Sequence, residues 1–537
     1  MHTNSNSQLK LSTQTPNSNS QLKLPTQTPQ EGTVNIEIQQ GSIDAIAADA
    51  IIVNLFEGVT EAGGATGVVN RALDGAIGEL IAGGDLRGKA GETVVLYPRG
   101  AIPARRVIVV GLGKEDKFNL EGVREAAGAA IKAAQKTGAR RVATIVHGGG
   151  RGNLKPADAA QAVVEGSVLA QYKYDAPRAK KREDESPVET LTLVEFDASK
   201  VEAVRAGAQR GQIIAEAVCM ARTLVNQPSN VATPTAIAEA ARAMCAETGL
   251  ACRVMDEEWM RAEKMGALLA VTQGATQPAR FVIIEHRPPQ VSEEEKPVVL
   301  VGKGVAFDTG GYSIKGRTTM PGMNGDMAGA AAVIGTMQAV ARLNLPRRVV
   351  ALTPLVENVI GPRAYKPNDV FIARNGVSIE IISTDAEGRM ILADALAYAD
   401  TFQPAAVIDV ATLTGGKTIA LGLRTNALFA TDDDLAAALL AAGEATGEPL
   451  WRMPLDPAYD RQIKSDVADI KNSGGAKGSA ITAARFLANF VGDWPWAHLD
   501  IAGSEFYNGG PEHTPRSYLT RGATGVPLRT LVAFLQA

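Results

Sequence analysis

Residues 383–389 read STDAEGR, and they lie between two segments of different character. The preceding apolar run, 377–382, predicts a buried strand, and the following run, 390–398, predicts a helix. Asp385 and Glu387 are two residues apart, so in an extended segment they project to the same side. Open α/β sheets place their ligand crevices at the carboxyl ends of strands. The carboxylate pair is therefore a candidate site, although taken alone the stretch is more typical of a charged turn.

Length and composition are those of a globular enzyme with more than one domain. The chain has 537 residues, of which 45% are hydrophobic and 21% are charged, and it contains 54 glycines. Length alone suggests two to four domains, and the glycine content favours α/β packing with tight turns. The net charge of −4 gives no reason to expect nucleic acid or an anionic membrane as a partner.

Cysteine usage and hydropathy predict a cytoplasmic protein without a membrane anchor. The three cysteines, Cys219, Cys245 and Cys252, form no Cys-x-x-Cys pair and no even framework, which favours a reducing compartment. No apolar run approaches the ~20 residues that a membrane span needs. The amino terminus lacks the apolar core of a secretory signal peptide.

The chain begins with a repeated tail and a first α/β domain. Residues 4–16 and 17–29 are near-identical copies of NSNSQLKLSTQTP, and this polar repeat predicts a disordered tail at 1–32. A smaller amino-terminal α/β domain is predicted for 33–200, because strand patterns alternate there with helical ones. Its strand candidates are 34–38, 50–53, 93–97, 106–110, 142–146 and 191–194.

A large, doubly wound α/β catalytic domain is predicted for 201–537, beginning with a long helix at 201–225. Helices at 327–343 and 391–402 alternate with apolar runs that are typical of buried strands in one sheet. The strand candidates are 298–301, 349–355, 370–373, 377–382, 406–410 and 497–501. Acidic residues cluster where these strands end, so the sequence predicts a site at the carboxyl edge of this sheet.

Further charged residues lie upstream, close to predicted strand and helix ends. Lys303 and Asp308 belong to GKGVAFDTGG at 302–311, whose glycines let the backbone approach a ligand closely. Lys315 follows seven residues after Asp308, and Asp326 immediately precedes a predicted helix. Each has an ordinary explanation by itself: Asp308 as a turn residue, Lys315 as a surface lysine, and Asp326 as a helix cap.

The joint interpretation is a two-metal site, because four carboxylates at one sheet edge would repel one another if nothing neutralised them. The four are Asp308, Asp326, Asp385 and Glu387. Two divalent cations balance four negative charges, and such pairs clamp the attacking and leaving oxygens of a hydrolysis. Carboxylate ligands suit Mg, Mn or Zn, and a lysine joins them only as a neutral amine. The chain has no His-Glu-x-x-His motif, and His498, near a strand end, is more typical of structural hydrogen bonding.

Five segments carry a resemblance to a known family: 297–312, 315–330, 383–389, 411–416 and 496–503. Across 220–537 the chain resembles the leucyl aminopeptidase (cytosol aminopeptidase) family of dinuclear metallopeptidases. The family signature Asn-Thr-Asp-Ala-Glu-Gly-Arg is matched except at its first position, where this chain has Ser383. The resemblance implies a metal-dependent aminopeptidase that hydrolyses the amino-terminal peptide bond of peptides, preferring Leu and similar apolar residues.

The resemblance also implies which residues bind the two metal ions, expected to be Zn or Mn, with Mg as a third option. One ion would be held by Lys303, Asp308, Asp326 and Glu387. Asp308, Asp385 and Glu387 would hold the other, so that Asp308 and Glu387 bridge the pair. A metal-bridging water that becomes hydroxide near neutral pH would attack the first peptide carbonyl. The substrate's free amine would bind one metal, which explains why only the amino-terminal bond is cleaved.

Two further charged residues have catalytic roles in the resemblance. Lys315 would polarise the scissile carbonyl or stabilise the tetrahedral oxyanion. Arg389 would hold a bicarbonate-type anion that serves as general base. The family is usually a homohexamer whose active sites face an inner cavity, so a homo-oligomer of that kind is expected here.

Residues that would line the substrate cleft are also implied by the resemblance. They are Met323, Thr412, Leu413, Gly415 and Ala502. Glu505 stands where a relative would often carry an apolar residue, so it is expected to alter the side-chain preference. The replacement of the signature Asn by Ser383 is expected to change a side-chain contact beside the substrate and to leave the metal ligands unaffected.

Three alternative interpretations arise from the sequence. ATLTGGKT at 411–418 approaches a phosphate-binding loop, but it lacks the first glycine and would leave the acidic cluster unexplained. HGGG at 147–150 resembles an esterase oxyanion loop, but no Gly-x-Ser-x-Gly accompanies it, so a turn is predicted. A DNA-binding or regulatory role, which some bacterial relatives have, is the alternative function. Equal numbers of acidic and basic residues in 33–175 weaken that alternative without excluding it.

Overall fold

The computed structural model of the chain describes residues 34–150, 152–175 and 186–537. The tail predicted at 1–32 lies outside the described residues. Within these ranges the chain forms two α/β units, each built on its own large sheet. In the part of the chain that the structure describes, no helix is long and apolar enough to cross a membrane.

The first unit is a six-stranded sheet, among the described residues, with an apolar core on each face. Its strands are β1 (Asn35–Gln40), β2 (Ala50–Leu55), β3 (Thr93–Leu96), β4 (Val107–Gly111), β5 (Arg141–Ile145) and β6 (Thr190–Glu195). Its helices are α1 (Gly64–Ala72), α2 (Ala76–Gly83), α3 (Leu120–Lys136) and α4 (Pro156–Gln171). The spatial order is β1-β6-β5-β2-β4-β3, and β3 alone among these strands pairs antiparallel. All six predicted strands of this region are confirmed.

A long helix, α5 (Val201–Asn226), connects this unit to the second one and packs against α4. Two of its glycines allow the close approach. A Cβ on Gly207 would lie 1.9 Å from the Ala157 carbonyl oxygen, and one on Gly211 would lie 2.5 Å from that of Gln161. Both distances are far below van der Waals contact, so larger residues would push the two helices apart.

The second unit follows α5 and contains the remaining elements. Its strands are β7 (Ala251–Met255), β8 (Arg280–His286), β9 (Val298–Gly302), β10 (Gly304–Asp308), β11 (Val349–Asn358), β12 (Val370–Ile372), β13 (Ser378–Glu380), β14 (Ala406–Ala411), β15 (Asn426–Ala430), β16 (Leu450–Arg452), β17 (Ile470–Lys471), β18 (Trp496–Asp500), β19 (Phe506–Tyr507) and β20 (Gly522–Ala523). Its helices are α6 (Pro234–Thr248), α7 (Glu257–Ala262), α8 (Gly266–Thr272), α9 (Ala328–Arg342), α10 (Glu387–Ala399), α11 (Gly415–Leu421), α12 (Asp433–Thr446), α13 (Ser479–Leu487) and α14 (Leu528–Gln536).

The main sheet of the second unit runs in the order β16-β15-β18-β14-β9-β11-β8-β7, with β10 also paired to β11. Its centre, β18-β14-β9-β11, is parallel, so the carboxyl ends of these four strands meet at one edge. Apolar cores cover both faces: one includes α5 and α9, and the other includes α8, α10 and α13. A parallel sheet covered on both faces by helices confirms the predicted doubly wound architecture.

The predictions for 370–373 and 377–382 as buried strands of the main sheet are wrong. These residues form β12 and β13, an antiparallel hairpin that joins β17 in a separate three-stranded sheet, within the described residues. Ile372 is 62% exposed and Ile382 is 41% exposed. Alternate apolar residues of a short hairpin cover only one face, so an apolar run does not reveal which sheet it joins.

The two units meet at a buried charge cluster centred on Glu165 of α4. Its carboxylate lies 2.6 Å from Arg124 Nε and 3.8 Å from Arg529 Nη1 of α14, and it accepts a 2.7 Å hydrogen bond from Gln161. Burial raises the pKa of Glu165, but the two arginines lower it to below its usual value. The ionised Glu165 carboxylate therefore compensates two buried guanidinium groups, Arg124 of the first unit and Arg529 of the second, at the seam where the two units meet.

Replacing Glu165 with glutamine is expected to lower the midpoint of thermal unfolding by several degrees. Removing one partner of a buried ion pair leaves an uncompensated charge, which costs about 3–5 kcal/mol. The matched control is Glu202→Gln, which removes an exposed pair with Arg205 on α5 and should change the midpoint little. Equal midpoints for the two variants, measured by circular dichroism, would contradict a stabilising role for the seam.

Candidate active site

Lys303 and Asp308 lie at the carboxyl edge of the main sheet. Lys303 is the single residue between β9 and β10, and Asp308 ends β10. Both side chains are buried, with 3% and 2% of their surfaces exposed. A Cβ on Gly302 would lie 2.7 Å from backbone atoms at the start of α9, so this glycine lets the strand end approach the helix closely.

Asp326 belongs to a 3-10 turn, Met323–Met327, that precedes α9. Its explanation as a helix cap is wrong, because the residue before α9 is Met327 and Asp326 faces the cluster instead. One carboxylate oxygen, Oδ1, lies 2.7 Å from Lys303 Nζ and accepts a 2.7 Å hydrogen bond from Thr412 Oγ1. Asp326 is thus tied to the carboxyl ends of both β9 and β14.

Asp385, in the turn before α10, and Glu387, the first residue of α10, complete the cluster. Asp385 Oδ1 lies 2.6 Å from Lys315 Nζ, and Glu387 Oε1 lies 3.0 Å from Lys303 Nζ. Gly388 is required here, since a Cβ would lie 2.6 Å from Lys303 Nζ. The charged-turn explanation of this stretch is therefore insufficient, because Glu387 is only 2% exposed and points at a buried lysine.

Lys315 connects the two halves of the cluster. Its Nζ lies 2.8 Å from Asp308 Oδ2 as well as 2.6 Å from Asp385 Oδ1. Its side chain is 17% exposed, so the surface-lysine explanation is wrong. Carboxylate oxygens of Asp308, Asp385 and Glu387 all lie within 4.8 Å of one another, close enough to hold a common cation.

Burial and mutual repulsion shift the pKa values of the cluster. Burial raises the pKa of Asp308 to about 6, with the Glu387 charge adding to the shift. Burial also raises the pKa of Asp326 well above its ordinary value, although Lys303 opposes the shift. Burial lowers the pKa of Lys303, but Asp326 and Glu387 together raise it above its usual value. Four carboxylates thus face two ammonium groups, and the pKa values of three of them, Asp308, Asp326 and Asp385, are raised, chiefly by burial.

Unpartnered oxygens show that the residues fit a divalent cation. Asp326 Oδ2 and Glu387 Oε2 are buried and have no hydrogen-bond partner among the described residues. A buried carboxylate oxygen without a partner is costly, and a hard cation is the partner that carboxylates prefer. The carboxylate cluster has an excess of negative charge and two unpartnered oxygens, and both features favour binding of a metal cation.

Arg389 lies two residues into α10 and is 7% exposed. Its Nη1 donates a 2.8 Å hydrogen bond to the Asn472 carbonyl, while its Nε is buried without a partner in the described structure. Burial lowers the pKa of Arg389 to about 10, and the guanidinium group remains charged at neutral pH. A buried cation with a free donor beside the carboxylate cluster suits a small oxyanion.

The predicted substrate-binding residues occupy the loops around this cluster. Met323 is half-buried in the 3-10 turn that carries Asp326, and Gly415 is the exposed first residue of α11. Thr412 contacts the cluster directly: its carbonyl accepts a 2.8 Å hydrogen bond from Lys303 Nζ. The backbone N–H groups of Leu413 and Ala502 both donate to the buried carboxylate of Asp500. Thr412, Leu413 and Gly415 follow β14, Ala502 follows β18, and Met323 lies in the turn before α9.

Several positioning residues had no signal in the sequence analysis. Asn358, fully buried at the end of β11, donates 2.7 Å to Asp308 Oδ1 and 3.0 Å to the Thr384 carbonyl. Thr384 Oγ1 donates 2.6 Å to the Gly310 carbonyl, and the Tyr365 hydroxyl donates 2.7 Å to the Thr384 carbonyl. Asn358 and Tyr365 match no motif. Thr384 belongs to the 383–389 signature, but the sequence gives no indication of its hydrogen bond to the Gly310 carbonyl.

Asp500, at the end of β18, holds the two substrate loops together. Its Oδ1 accepts hydrogen bonds of 3.1 Å from the backbone N–H groups of Leu413 and Ala502. Its Oδ2 accepts a 2.6 Å hydrogen bond from Thr414 Oγ1. The carboxylate is completely buried, so these donors replace water as its partners.

Ser383, His498 and His147 all make hydrogen bonds within the protein. Ser383 Oγ accepts a 3.2 Å hydrogen bond from the Asp385 N–H, which shapes the turn that presents Asp385. His498 is confirmed as structural: its Nδ1 lies 2.5 Å from Asp409 Oδ1, and it stacks on Phe429. His147 is buried and bonded to Asn54, in a turn as predicted.

The phosphate-loop interpretation of 411–418 does not agree with the structure. A phosphate-binding lysine must reach a ligand, but Lys417 is completely buried. Its Nζ donates to the carbonyl oxygens of Ala502 and Gly422 and to Ser504 Oγ. All three donors of the Lys417 ammonium group are therefore used in hydrogen bonds within the chain.

Comparisons with known proteins agree with this geometry. The family models described as "Cytosol aminopeptidase family, catalytic domain" and "Cytosol aminopeptidase family, N-terminal domain" match residues 219–532 and 52–181. A probable cytosol aminopeptidase of Syntrophotalea carbinolica is 44% identical over 469 residues, 87% of this chain and 93% of that protein. One of Roseiflexus castenholzii is 40% identical over 504 residues, 94% of this chain and 99% of that protein.

Two solved structures show the same likeness in three dimensions. The bottromycin maturation enzyme BotP, in complex with Mn, has a TM-score of 0.79 and 35% identity, covering 91% of this chain and 99% of its own. A tomato leucine aminopeptidase mutant has a TM-score of 0.82 and 30% identity, covering 95% of this chain and 98% of its own. The coverage extends over both α/β units. With its buried carboxylate cluster and both family domains matched, the chain belongs to the cytosol aminopeptidase family and is an aminopeptidase of the hydrolase class.

Proposed function

We propose that this aminopeptidase removes amino-terminal Leu and similar apolar residues from peptides, using two divalent metal ions. The observation that carries the proposal is a set of four carboxylates, three of them buried and two of these with an unpartnered oxygen, compensated by only two lysines. The residues that would hold the ions are Lys303, Asp308, Asp326, Asp385 and Glu387. When bound, divalent cations polarise the scissile carbonyl and lower the pKa of water so that it attacks at neutral pH.

Mn and Zn are the ions that the proposal favours. The carboxylate oxygens form a hard donor set, to which a lysine amine adds one nitrogen. The related BotP structure contains Mn, which supports that ion as a candidate. Lys303 would bind as a neutral amine, so metal binding must release the proton that its carboxylate neighbours now stabilise.

Lys315 is the proposed donor to the oxyanion. Burial lowers its pKa, but Asp308 and Glu387 raise it above the usual value, so the side chain stays protonated at neutral pH. A protonated amine in a mostly buried position stabilises negative charge that develops on the carbonyl oxygen. Arg389, with its unpartnered Nε, is the residue that would hold a bicarbonate-type anion, and such an anion would supply a general base.

The side-chain preference is assigned to the loops after β14 and β18. The proposed wall consists of Met323, Thr412, Leu413, Gly415 and Ala502. Most of these present backbone or apolar atoms, and burial of an apolar side chain there contributes to binding through the hydrophobic effect. Glu505, beyond Ala502, lies close enough to Lys417 for the two charges to shift each other's pKa.

Blocking the substrate amine is expected to abolish hydrolysis. The carboxylate excess of the cluster attracts an ammonium or metal-bound amine, and an acetylated amine supplies neither. We expect N-acetyl-Leu-p-nitroanilide to be cleaved more slowly than Leu-p-nitroanilide by a factor on the order of 10⁴. With the acetylated substrate, the groups of the site that would bind the free amine are left without a partner. Comparable kcat/KM values for the two substrates would contradict an exopeptidase.

A homohexamer is the proposed assembly, on the basis of the family resemblance. Tyr312 and Ile314, which precede Lys315, are 48% and 60% exposed and are therefore available for contact with another copy. Light scattering should give six times the mass of one chain, whereas a monomeric mass would contradict this assembly.

A further inference from the structure

Lys417 is a buried charged residue that the proposed mechanism does not use. It lies in the first turn of α11 and is completely buried. Its Nζ donates 2.6 Å to Ser504 Oγ, 2.8 Å to the Ala502 carbonyl and 3.2 Å to the Gly422 carbonyl. An ammonium has three donors, so Lys417 spends all of them on the chain itself.

Two of these acceptors belong to the loop after β18, whereas Lys417 belongs to the helix after β14. The same loop is held by Thr418, whose Oγ1 donates 3.1 Å to the Ala502 carbonyl. Gly503 has a φ of +80°, and a Cβ there would lie 2.9 Å from Thr418 Oγ1. The loop therefore packs directly against α11, with no room for a side chain between them.

Asp500 joins the same two segments from the opposite side, through the backbone N–H groups of Leu413 and Ala502. The Ala502 peptide region thus has its N–H bound by Asp500 and its carbonyl bound by Lys417. Two charged, buried side chains consequently fix one residue of the proposed substrate wall. Neutral hydrogen bonds are weaker than these charge-assisted ones, which explains the use of ionised groups.

The charges around Lys417 are consistent with a protonated amine in this position. Burial lowers the pKa of Lys417 to about 8, while Asp500 and Glu505 oppose that shift. Burial raises the pKa of Glu505 to about 7, and the Lys417 charge opposes it. Asp500, at the end of β18, and Glu505, in the loop that follows, therefore both favour the protonated form of Lys417.

We propose that Lys417 is a positioning residue that sets the selectivity for the first side chain of the substrate, by holding residues 501–505 against residues 412–415. This inference rests on the proposed function, because it takes these two loops as the wall of the side-chain pocket. A substrate that begins with glycine has no side chain to contact the wall. Displacing the wall should therefore affect Leu substrates and leave Gly substrates nearly unchanged.

The test is Lys417→Met, which keeps an unbranched side chain only one atom shorter and removes the three donors. Measured as kcat/KM for Leu- and Gly-p-nitroanilide, the Leu-to-Gly ratio is expected to fall about tenfold, a change typical of an altered apolar pocket. The rate with Gly and the bound metal should stay close to wild type. The control is Lys296→Met, an exposed lysine before the amino end of β9, which should leave the ratio unchanged.

A second variant keeps the test decisive if Lys417→Met does not fold. Ser504→Ala removes one of the three acceptors and should lower the same ratio about threefold, since Lys417 retains its two carbonyl partners. An unchanged ratio in the folded variants, or an equal loss with both substrates, would overturn the positioning role. Wild-type protein that cleaves neither substrate would instead overturn the proposed function, and the inference with it.

Discussion

Replacing Glu387 with alanine is expected to reduce Leu-p-nitroanilide hydrolysis to background and to lower the metal content of the purified protein. Glu387 Oε1 lies 3.0 Å from Lys303 Nζ, and its Oε2 is buried without a partner among the described residues. Glu387 is also one of three residues whose carboxylate oxygens lie within 4.8 Å of one another. Its loss would remove a ligand from both proposed ions, so neither binding nor catalysis should survive.

The control for this variant is Glu444→Ala, because Glu444 is an exposed glutamate in α12, away from the cluster. Metal content by plasma emission spectrometry and kcat/KM are measured on both proteins, with circular dichroism to verify folding. Glu387→Gln, which keeps the shape but not the charge, should show an intermediate loss of metal. Wild-type activity in folded Glu387→Ala would rule out the two-metal account.

Removing the metal with a chelator is expected to abolish activity, and Zn or Mn should restore it. Four carboxylates facing two lysines leave an excess of negative charge, which bound cations would neutralise. Because a metal that binds the folded state stabilises it, reconstitution should also raise the thermal midpoint. At 100 times the dissociation constant, the stabilisation is about 2.7 kcal/mol.

The chelation experiment measures two quantities, the number of metal ions bound per chain and the activity that each ion restores. Metal analysis of the reconstituted protein should give two ions per chain, and Mg supplied alone tests the third candidate ion. Calcium, which takes more oxygen ligands at longer distances, is the control ion and should restore less activity. Unchanged activity in protein whose metal has been verified as removed would contradict the whole mechanism.

Much of the fold could be predicted because apolar runs are local. Every predicted strand of the first unit corresponds to an observed one, from β1 to β6. In the second unit, β9, β11, β14 and β18 were predicted, whereas β7, β8, β10, β15 and β16 were not. The misplacement of 370–382 has a different cause: the apolar pattern identifies a strand but not its sheet, and pairing depends on distant partners.

The residues of the candidate site could be proposed because charged residues at strand ends are visible in a sequence. The structure brings Lys303, Asp308, Lys315, Asp326 and the 385–389 turn to one edge. Asn358 and Asp500 were missed, since a buried amide or carboxylate has no pattern of its own until its partners are known. Thr384 belongs to the 383–389 signature, but its hydrogen bond to the Gly310 carbonyl is visible only in the structure.

The STDAEGR stretch shows what the sequence determined by itself. It supplied the types of side chain and their order, and these are enough to indicate carboxylate chemistry. The sheet that the preceding strand joins was visible only in the structure. Local patterns reach no further, because they contain only neighbours along the chain.

Only the tertiary structure decided which charge meets which. Lys303 pairs with Asp326 and Glu387, whereas Lys315 pairs with Asp308 and Asp385. Sheet register and helix packing set these distances between residues that are far apart in the sequence. Burial then makes each pairing strong, because the low dielectric of the interior amplifies both attraction and the cost of an oxygen left without a partner.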